Sequence, residues 1–260
     1  MTDRFARERL RYELRRRSLA VVRSESIAPG MQRITLGGAD LEGFTAPGPA
    51  DHVKLLFPDP ASPGETVSRD YTPFAFRAAA EGGPELDIDF YLHGDGGPAS
   101  SWASRAQEGD PLAIGGPRGS LLAPADVDEA VIVADESALP AAARWLEALD
   151  REVPVTGLFS VTDPATAAYL ADFDGPGREL RWFSGADREA RLADALRAVR
   201  PAEGTFFFLA GEARSLIPLR RHLRRELGLP KEQAGVHGYW KKGVIALDHH
   251  APLDPDDPDA

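Results

Sequence analysis

Between residues 18 and 122 apolar and polar positions alternate in short runs: LAVVRSESI, MQRITLGG after Pro29-Gly30, HVKLLFP, DYTPFAF, ELDIDFYLH and DPLAIGG. Val53, Leu55 and Phe57 interleave with Lys54 and Leu56, and Leu86, Ile88 and Phe90 with Asp87 and Asp89. A period of two places one set of side chains on a buried face, the signature of a strand. Six such runs, with a single helix among them that opens near Pro98 and continues through SSWASRAQE, predict an antiparallel six-stranded β-barrel with no open edge.

Past the stretch LLAPADVDE the period changes. AVIVAD (130–135) is a continuous apolar run of the buried-strand kind, LPAAARWLEAL (139–149) follows as a helix, and VTGLFSV (155–161) is the next strand. ELRWFS, the amphipathic DREARLADALRAV with Leu192, Leu196 and Val199 on one face, TFFFLAG, and EARSLIPLRRHLRREL ending at Gly228 continue the alternation. This order predicts a doubly wound parallel sheet. The expected architecture is therefore two-domain β + α/β: a barrel over 18–125 and an α/β domain over 126–247, with a helix over 1–17 and an acidic tail over 248–260.

Composition narrows the chemistry. The 260 residues contain no cysteine, which removes disulfides, thiolate catalysis and cysteine-ligated clusters, so redox chemistry requires a borrowed cofactor. The net charge of -11 disfavours nucleic acid as a partner, and the tail aspartates Asp254, Asp256, Asp257 and Asp259 among prolines predict a solvated, disordered end. No apolar run approaches the ~18 residues that span a bilayer, and the amino terminus lacks the apolar core of a secretory signal, so the expected location is the cytoplasm. The arginine-rich stretch from Arg4 to Arg17 reads as a surface helix packed by Leu10, Tyr12 and Leu14, to which no function is assigned.

Two short stretches carry candidate chemistry. In SRDYTP (68–73) a strand places Arg69 and Tyr71 on one face and Asp70 and Thr72 on the other. A cation, a ring and a hydroxyl are what the pyrophosphate, the planar ring and the N5 and O4 edge of a flavin dinucleotide require; the alternative is a strand with an exposed arginine and a packed tyrosine. In DIDFYLHGDGGPASSWASRAQEGD (87–110) a strand ends at His93, three glycines follow at 94, 96 and 97, and a helix opens at Pro98 to Ser100. Free amides at such a start suit a phosphate, and the alternative is an ordinary glycine turn capped by Ser100.

Taken together, RDYT, FYLHGDGGPASSWA, IGGPRGS, ADESALPA, AGEARSLIPLRRHLRRELGLP and GYWKKG resemble, over residues 20 to 245, the siderophore-interacting protein family. These are flavin-dependent ferric-siderophore reductases related to ferredoxin–NADP reductase. The resemblance implies a flavin-binding barrel followed by a nicotinamide-binding α/β domain, with FAD as cofactor, NADH or NADPH as donor and a ferric siderophore as acceptor. It implies that Arg69, Tyr71 and Thr72 hold the FAD diphosphate, the ribityl and ring region, and the ring edge. Gly97, Pro98, Ala99 and Ser100 match the phosphate-binding helix start, with Phe90, Tyr91 and His93 lining the flavin or adenine side.

Asp135, Glu136 and Ser137 match the family's first strand-to-helix turn of the nicotinamide domain, with Ser137 where threonine is usual, and Gly211 and Glu212 match the later strand end. Trp240, Lys241 and Lys242 match the segment expected to rim an anionic chelate, with lysines where arginines are usual; the alternative is a last strand whose Tyr239 and Trp240 pack and whose lysines are solvated. Ser160 and Ser184-Gly185 stand where relatives carry an acidic residue and a His-Arg pair, which leaves the nicotinamide open. No catalytic side chain is expected, and His237 and His249-His250 are read as structural or solvated rather than as metal ligands. A monomer or weak dimer is expected. A general NAD(P)H flavin or ferredoxin-type reductase and a non-enzymatic ferric-siderophore binder are the alternatives.

Overall fold

The structure, a computed structural model, describes residues 4–59, 62, 64–80, 82–93, 97–244 and 252–258. Gly94, Gly96, His249 and His250 lie outside the described residues. The chain forms two compact units, Glu8–Leu122, and Ala123–Ala260 together with Met1–Arg7.

The first unit contains β1 (Arg9–Arg11), β2 (Arg16–Ala28), β3 (Met31–Gly37), β4 (Val53–Pro58), β5 (Thr66–Tyr71), β6 (Pro73–Arg77), β7 (Glu85–Tyr91), helix α1 (Pro98–Ala103), β8 (Pro111–Gly115) and β9 (Gly119–Leu121). Seven of these strands form one antiparallel sheet in the order β5-β4-β8-β2-β3-β7-β6. Its two edge strands, β5 and β6, are joined by Thr72 alone. A sheet whose opposite edges are one residue apart in the chain has to curl, but β5 and β6 are not paired with each other, so the expected six-stranded barrel with no open edge is instead a seven-stranded half-barrel whose two edges are bridged by the chain at Thr72. The run DYTPFAF, expected as one strand, is thus two strands on opposite edges. Pro73 has no N–H to continue a ladder, which suits the start of an edge strand.

The inward face follows the period-two pattern: Leu19, Ile34, Leu36, Leu55, Phe57, Leu86, Ile88, Phe90 and Ile114 are all buried in one cluster. Fully burying each large apolar side chain contributes about 1.5–3 kcal/mol. The polar positions of β7 are buried as well. Asp87 takes hydrogen bonds from Arg77 (2.6 Å) and Thr35 (2.7 Å), and Asp89 from Arg33 (2.6 and 2.7 Å).

The expected amino-terminal helix does not form. Arg9–Arg11 is a strand paired antiparallel to β9, and a Cβ at Gly119 would stand 2.3 Å from the Leu10 carbonyl oxygen, so glycine admits the close crossing. Leu14 is 56% exposed, and the one-turn spacing of Leu10 and Leu14 is not used. Unpaired edge groups of β9 compete successfully with a marginal helix for the backbone of this segment.

The second unit contains β10 (Glu129–Asp135), α2 (Leu139–Ala148), β11 (Val155–Ser160), β12 (Arg178–Phe183), α3 (Arg188–Ala198), β13 (Thr205–Glu212), α4 (Ala213–Arg221) and β14 (Ala234–Trp240). All five strands are parallel, in the order β12-β11-β10-β13-β14. Chain order reverses between β10 and β13. In a doubly wound sheet the crevice beyond the carboxyl ends of that strand pair is where ligands bind. Phe206 and Phe208 pack on Trp145 of α2 at 5.0 and 5.2 Å between ring centroids, while Phe207 and Leu209 join Leu192, Leu196, Leu216 and Leu219 of α3 and α4. Helices on both faces explain why β10 and β13 read as continuous apolar runs.

The acidic tail, expected to be disordered, is docked over its described part. Asp254 is 2% exposed and accepts from Arg221 Nε (2.6 Å), Asp257 accepts from Arg225 Nε (2.9 Å), and Leu253 packs against the core beside Gly238. Arg221 at the end of α4 and Arg225 in the helical turn that follows it supply the positive charge that a composition-based reading of the tail leaves out.

Candidate functional site

In the half-barrel unit, antiparallel register sets Arg69 opposite Leu55 and Tyr71 opposite Val53, so both point to the core-facing side. Asp70 faces the other way and takes two hydrogen bonds from Lys54 Nζ (2.9 and 3.0 Å). The half-buried Arg69 donates through Nη1 to the Ser68 carbonyl (2.7 Å). The Tyr71 ring lies 4.4 Å from Phe90, and burial pushes its phenol pKa up, so the hydroxyl stays protonated. Thr72, at the seam, is 7% exposed.

Phe90 is fully buried, so it supports Tyr71 from behind rather than lining a surface, a correction to its expected role. It also touches Trp102 of α1 at 5.9 Å, and Trp102 in turn contacts Phe57 at 5.6 Å. The segments 69–72 and 97–100 therefore converge on one aromatic support. Trp102, in the same motif as the 97–100 turn, was not singled out by sequence, yet it packs on the aromatic support of that turn. No side chain caps the first turn of α1, where Gly97 is N-cap and Pro98 opens the helix. Ala99 and Ser100 are buried, and Ser100 Oγ donates to the Tyr91 carbonyl (3.3 Å), so Ser100 anchors the helix to β7 rather than capping it. A Cβ on Gly97 would stand 3.5 Å from the exposed His93 ring, and Tyr91 lies 6.3 Å from His93. Together these residues offer a guanidinium, a hydroxyl, a ring and a turn of uncapped amides, a donor set for a phosphorylated aromatic ligand.

In the parallel-sheet unit the remaining candidates gather at the switch point. Asp135 ends β10, and its carboxylate accepts from Ser137 N (3.0 Å), Ser137 Oγ (2.5 Å), Glu212 N (2.8 Å) and Trp240 Nε1 (2.8 Å). Burial is the largest influence on Asp135 and raises its pKa despite these donors. Gly211 sits at φ 145°, and a Cβ there would come within 2.7 Å of the Asp135 carboxyl. Glycine is required twice over, by conformation and by space. Glu212 caps α4 by accepting from Ser215 N (2.8 Å), and its other oxygen accepts from Lys242 N (3.1 Å). Lys241 and Lys242 occupy a tight turn closed by the Lys241–Val244 bridge.

Glu136, expected at the cofactor, is 5% exposed and accepts from Thr162 N, which ties down the chain leaving β11. That is an internal structural duty. At the outer strands, Ser160 ends β11, and Arg191 in the first turn of α3 donates to the Ser184 carbonyl (3.3 Å) beyond β12. Arg191 was not legible as a site residue, because only the fold brings it to the carboxyl end of the sheet. His237 is exposed and its ring packs 5.7 Å from Phe208. No cluster of three or more potential metal ligands occurs among the described residues, and no described helix is long and apolar enough to cross a membrane.

Comparison with known proteins matches both units. The family model described as siderophore-interacting FAD-binding domain matches residues 20–67 and 61–121, and that described as siderophore-interacting protein matches 127–243. The chain is 40% identical over 254 residues to an NADPH-dependent ferric-chelate reductase of Escherichia coli, covering 90% of this chain and 96% of that protein. It is 32% identical to ferric vibriobactin reductase of Vibrio cholerae, covering 90% and 92% respectively. A siderophore utilization protein from T. fusca superposes with a TM-score of 0.82 at 38% identity, covering 95% of this chain and all (100%) of that one. A half-barrel bridged at an R-x-Y-T seam, a doubly wound sheet that follows it in the chain, and matches that run through both place this chain in the siderophore-interacting protein family.

Proposed function

We propose that the chain is an FAD-dependent NAD(P)H:ferric-siderophore oxidoreductase that acts in the cytoplasm, as a monomer or weak dimer, to free iron from its chelate. One observation carries this reading: the FAD-binding and siderophore-interacting matches run in tandem through both units, and the 40% identical relative, matched over 96% of its length, is named for ferric-chelate reduction.

The half-barrel residues fit FAD. Arg69 would bind the diphosphate, Tyr71 would cover the ribityl and ring region with Phe90 as backing, and the Thr72 hydroxyl would meet the ring edge. The uncapped amides of the 97–100 turn would take phosphate, with Tyr91 and His93 alongside. The switch-point turn of Asp135 to Ser137, with Gly211 and Glu212, would receive the nicotinamide. The Lys241–Lys242 turn beside Trp240 would attract an anionic chelate.

Hard oxygen donors hold iron(III) tightly and iron(II) weakly, so reduction is the release step. Bound FAD supplies the conversion of a nicotinamide's two-electron hydride into the single electrons a ferric ion accepts. The chain's part is to bind and orient, and no side chain is assigned as acid, base or nucleophile. NADPH is the donor this reading favours. Ser160 offers no carboxylate to a ribose, and Arg191 supplies a cation that suits a 2′-phosphate.

Anaerobic mixing tests the proposal. FAD-loaded protein should lose its absorbance near 450 nm (~450 nm for an oxidised flavin) with NADPH faster than with NADH, and regain it when ferric citrate is added. Rapid turnover of free flavin with no gain from ferric chelate would make the protein a general flavin reductase. Failure to take up FAD, with retained chelate binding, would make it a carrier.

A further inference from the structure

Trp240 is 42% exposed at the end of an edge strand, where packing alone does not fix a side chain, yet its indole N–H is held at 2.8 Å by a carboxylate on another strand. That carboxylate, Asp135, also collects the amide of Glu212 at the end of β13. Glu212 in turn holds the amide of Lys242 at 3.1 Å. β13 gives up its side chain at Gly211, where any Cβ would fall 2.7 Å from the Asp135 carboxyl. Two independent features, an emptied backbone position and a converging donor set, thus serve the approach of one carboxylate. All four bonds converge on one half-buried carboxylate, so each depends on the others holding it in place.

We infer that Asp135 is a positioning residue: it fixes the Trp240 indole and, through Glu212, the Lys241–Lys242 turn against the carboxyl ends of β10 and β13, so that these segments move as one body. The inference rests on the proposed function, since it joins the turn assigned to the nicotinamide to the residues assigned to the chelate. A ligand that shifts the Asp135 turn therefore shifts the cationic turn, and the two sites are coupled through hydrogen bonds rather than through the cofactor. Toward the chelate, Asp135 acts only through Trp240 and the Lys241–Lys242 turn.

The test uses trypsin on the full-length, FAD-loaded protein, with cleavage after Lys241 and Lys242 followed by mass spectrometry. Trp240→Phe keeps an aromatic ring but removes the indole N–H along with the rest of the five-membered ring; Asp135→Ala deletes the acceptor. Each should speed cleavage at these two lysines about tenfold, the scale of losing a hydrogen bond to a charged group, and the double variant should be no faster than Asp135→Ala alone. Saturating NADP+ should slow this cleavage in the parent chain and not in Trp240→Phe. With ferric citrate as acceptor, KM should rise several-fold in both single variants while kcat changes less. Parent-like cleavage in Trp240→Phe, or a double variant that shows the product of the two single effects, overturns the inference. If Asp135→Ala does not fold, the cleavage rate and NADP+ response of Trp240→Phe decide the matter. Because the basal cleavage rate needs no chelate and no turnover, a failure of the reductase reading leaves this readout intact, so the two failures are distinguishable.

Discussion

Tyr71 and Pro73, separated by a single residue in the chain, lie on the two opposite edges of the seven-stranded sheet. Everything that bridges the edges of the half-barrel at this point passes through Thr72. A residue there is held by chain connectivity on both sides, which preorganises its hydroxyl without any need for a long-range contact.

That geometry separates two roles for Thr72. Replacing Thr72 by Val keeps the β-branched shape and removes the hydroxyl. If the hydroxyl serves the flavin edge, FAD affinity falls about fivefold to tenfold, the scale of one neutral hydrogen bond. The melting temperature of the FAD-free protein should change little if nothing else depends on that oxygen. Fluorescence titration of FAD into the stripped protein, beside a thermal melt of the same sample, measures both. An unchanged affinity would confine Thr72 to the seam.

Acid stability follows from β7. Hydrogen bonds from Arg23 and then Arg77 hold Glu85 below its ordinary pKa. At Asp87 burial acts upward, but hydrogen bonds from Arg77 and Thr35 outweigh it and the pKa is again lowered. With both folded-state values depressed, the unfolded chain binds protons first as acid is added. The stabilisation is complete above the unfolded carboxylate range near pH ~4 and is lost as pH falls through the folded values. Arg77→Met should remove about 1–3 kcal/mol at neutral pH, since it strands partly buried carboxylates. It should also flatten the acid limb of a urea-midpoint against pH curve. An unaltered slope below pH ~4 would show that these carboxylates do not govern acid unfolding.

How much of this was legible follows from the range of each interaction. The strands of both units were readable because burial repeats every two residues within a strand, and the doubly wound order was readable because helix and strand periods alternate. Arg69, Tyr71 and Thr72 could be named as candidates for the same reason: their chemistry lies within four consecutive positions. The break at Pro73 was hidden because DYTPFAF keeps its apolar character across the seam. The helix expected around Leu10 and Leu14 failed because its competitor, the edge of β9, lies more than a hundred residues away. The internal duty of Glu136, the burial of Phe90 and the Asp135–Trp240 bond, which spans 105 positions, are pairings that only the fold creates.

The tail offers a test of the same point. Its aspartates look like a solvated end, yet Asp254 and Asp257 meet Arg221 and Arg225, and Arg220 donates to the Asp257 carbonyl at 2.9 Å. Leu253 fills the space left by Gly238, where a Cβ would come within 2.8 Å of it and 3.1 Å of the Ala213 Cβ. Gly238 precedes Trp240, and Ala213 opens α4, so the tail straps two elements that border the switch point. Deleting residues 252–260 removes a partly buried leucine contributing about 1 kcal/mol, which lowers Tm by about 2–4 °C in a chain of this size before the ion pairs are counted. Those pairs are salt-screened and leucine packing is not, so the gap in Tm between the full and shortened chains should narrow in about 1 M NaCl without closing. A gap that vanishes in salt would mean that Leu253 contributes nothing. Equal melting at every salt concentration would mean that the strap does not hold the fold in solution.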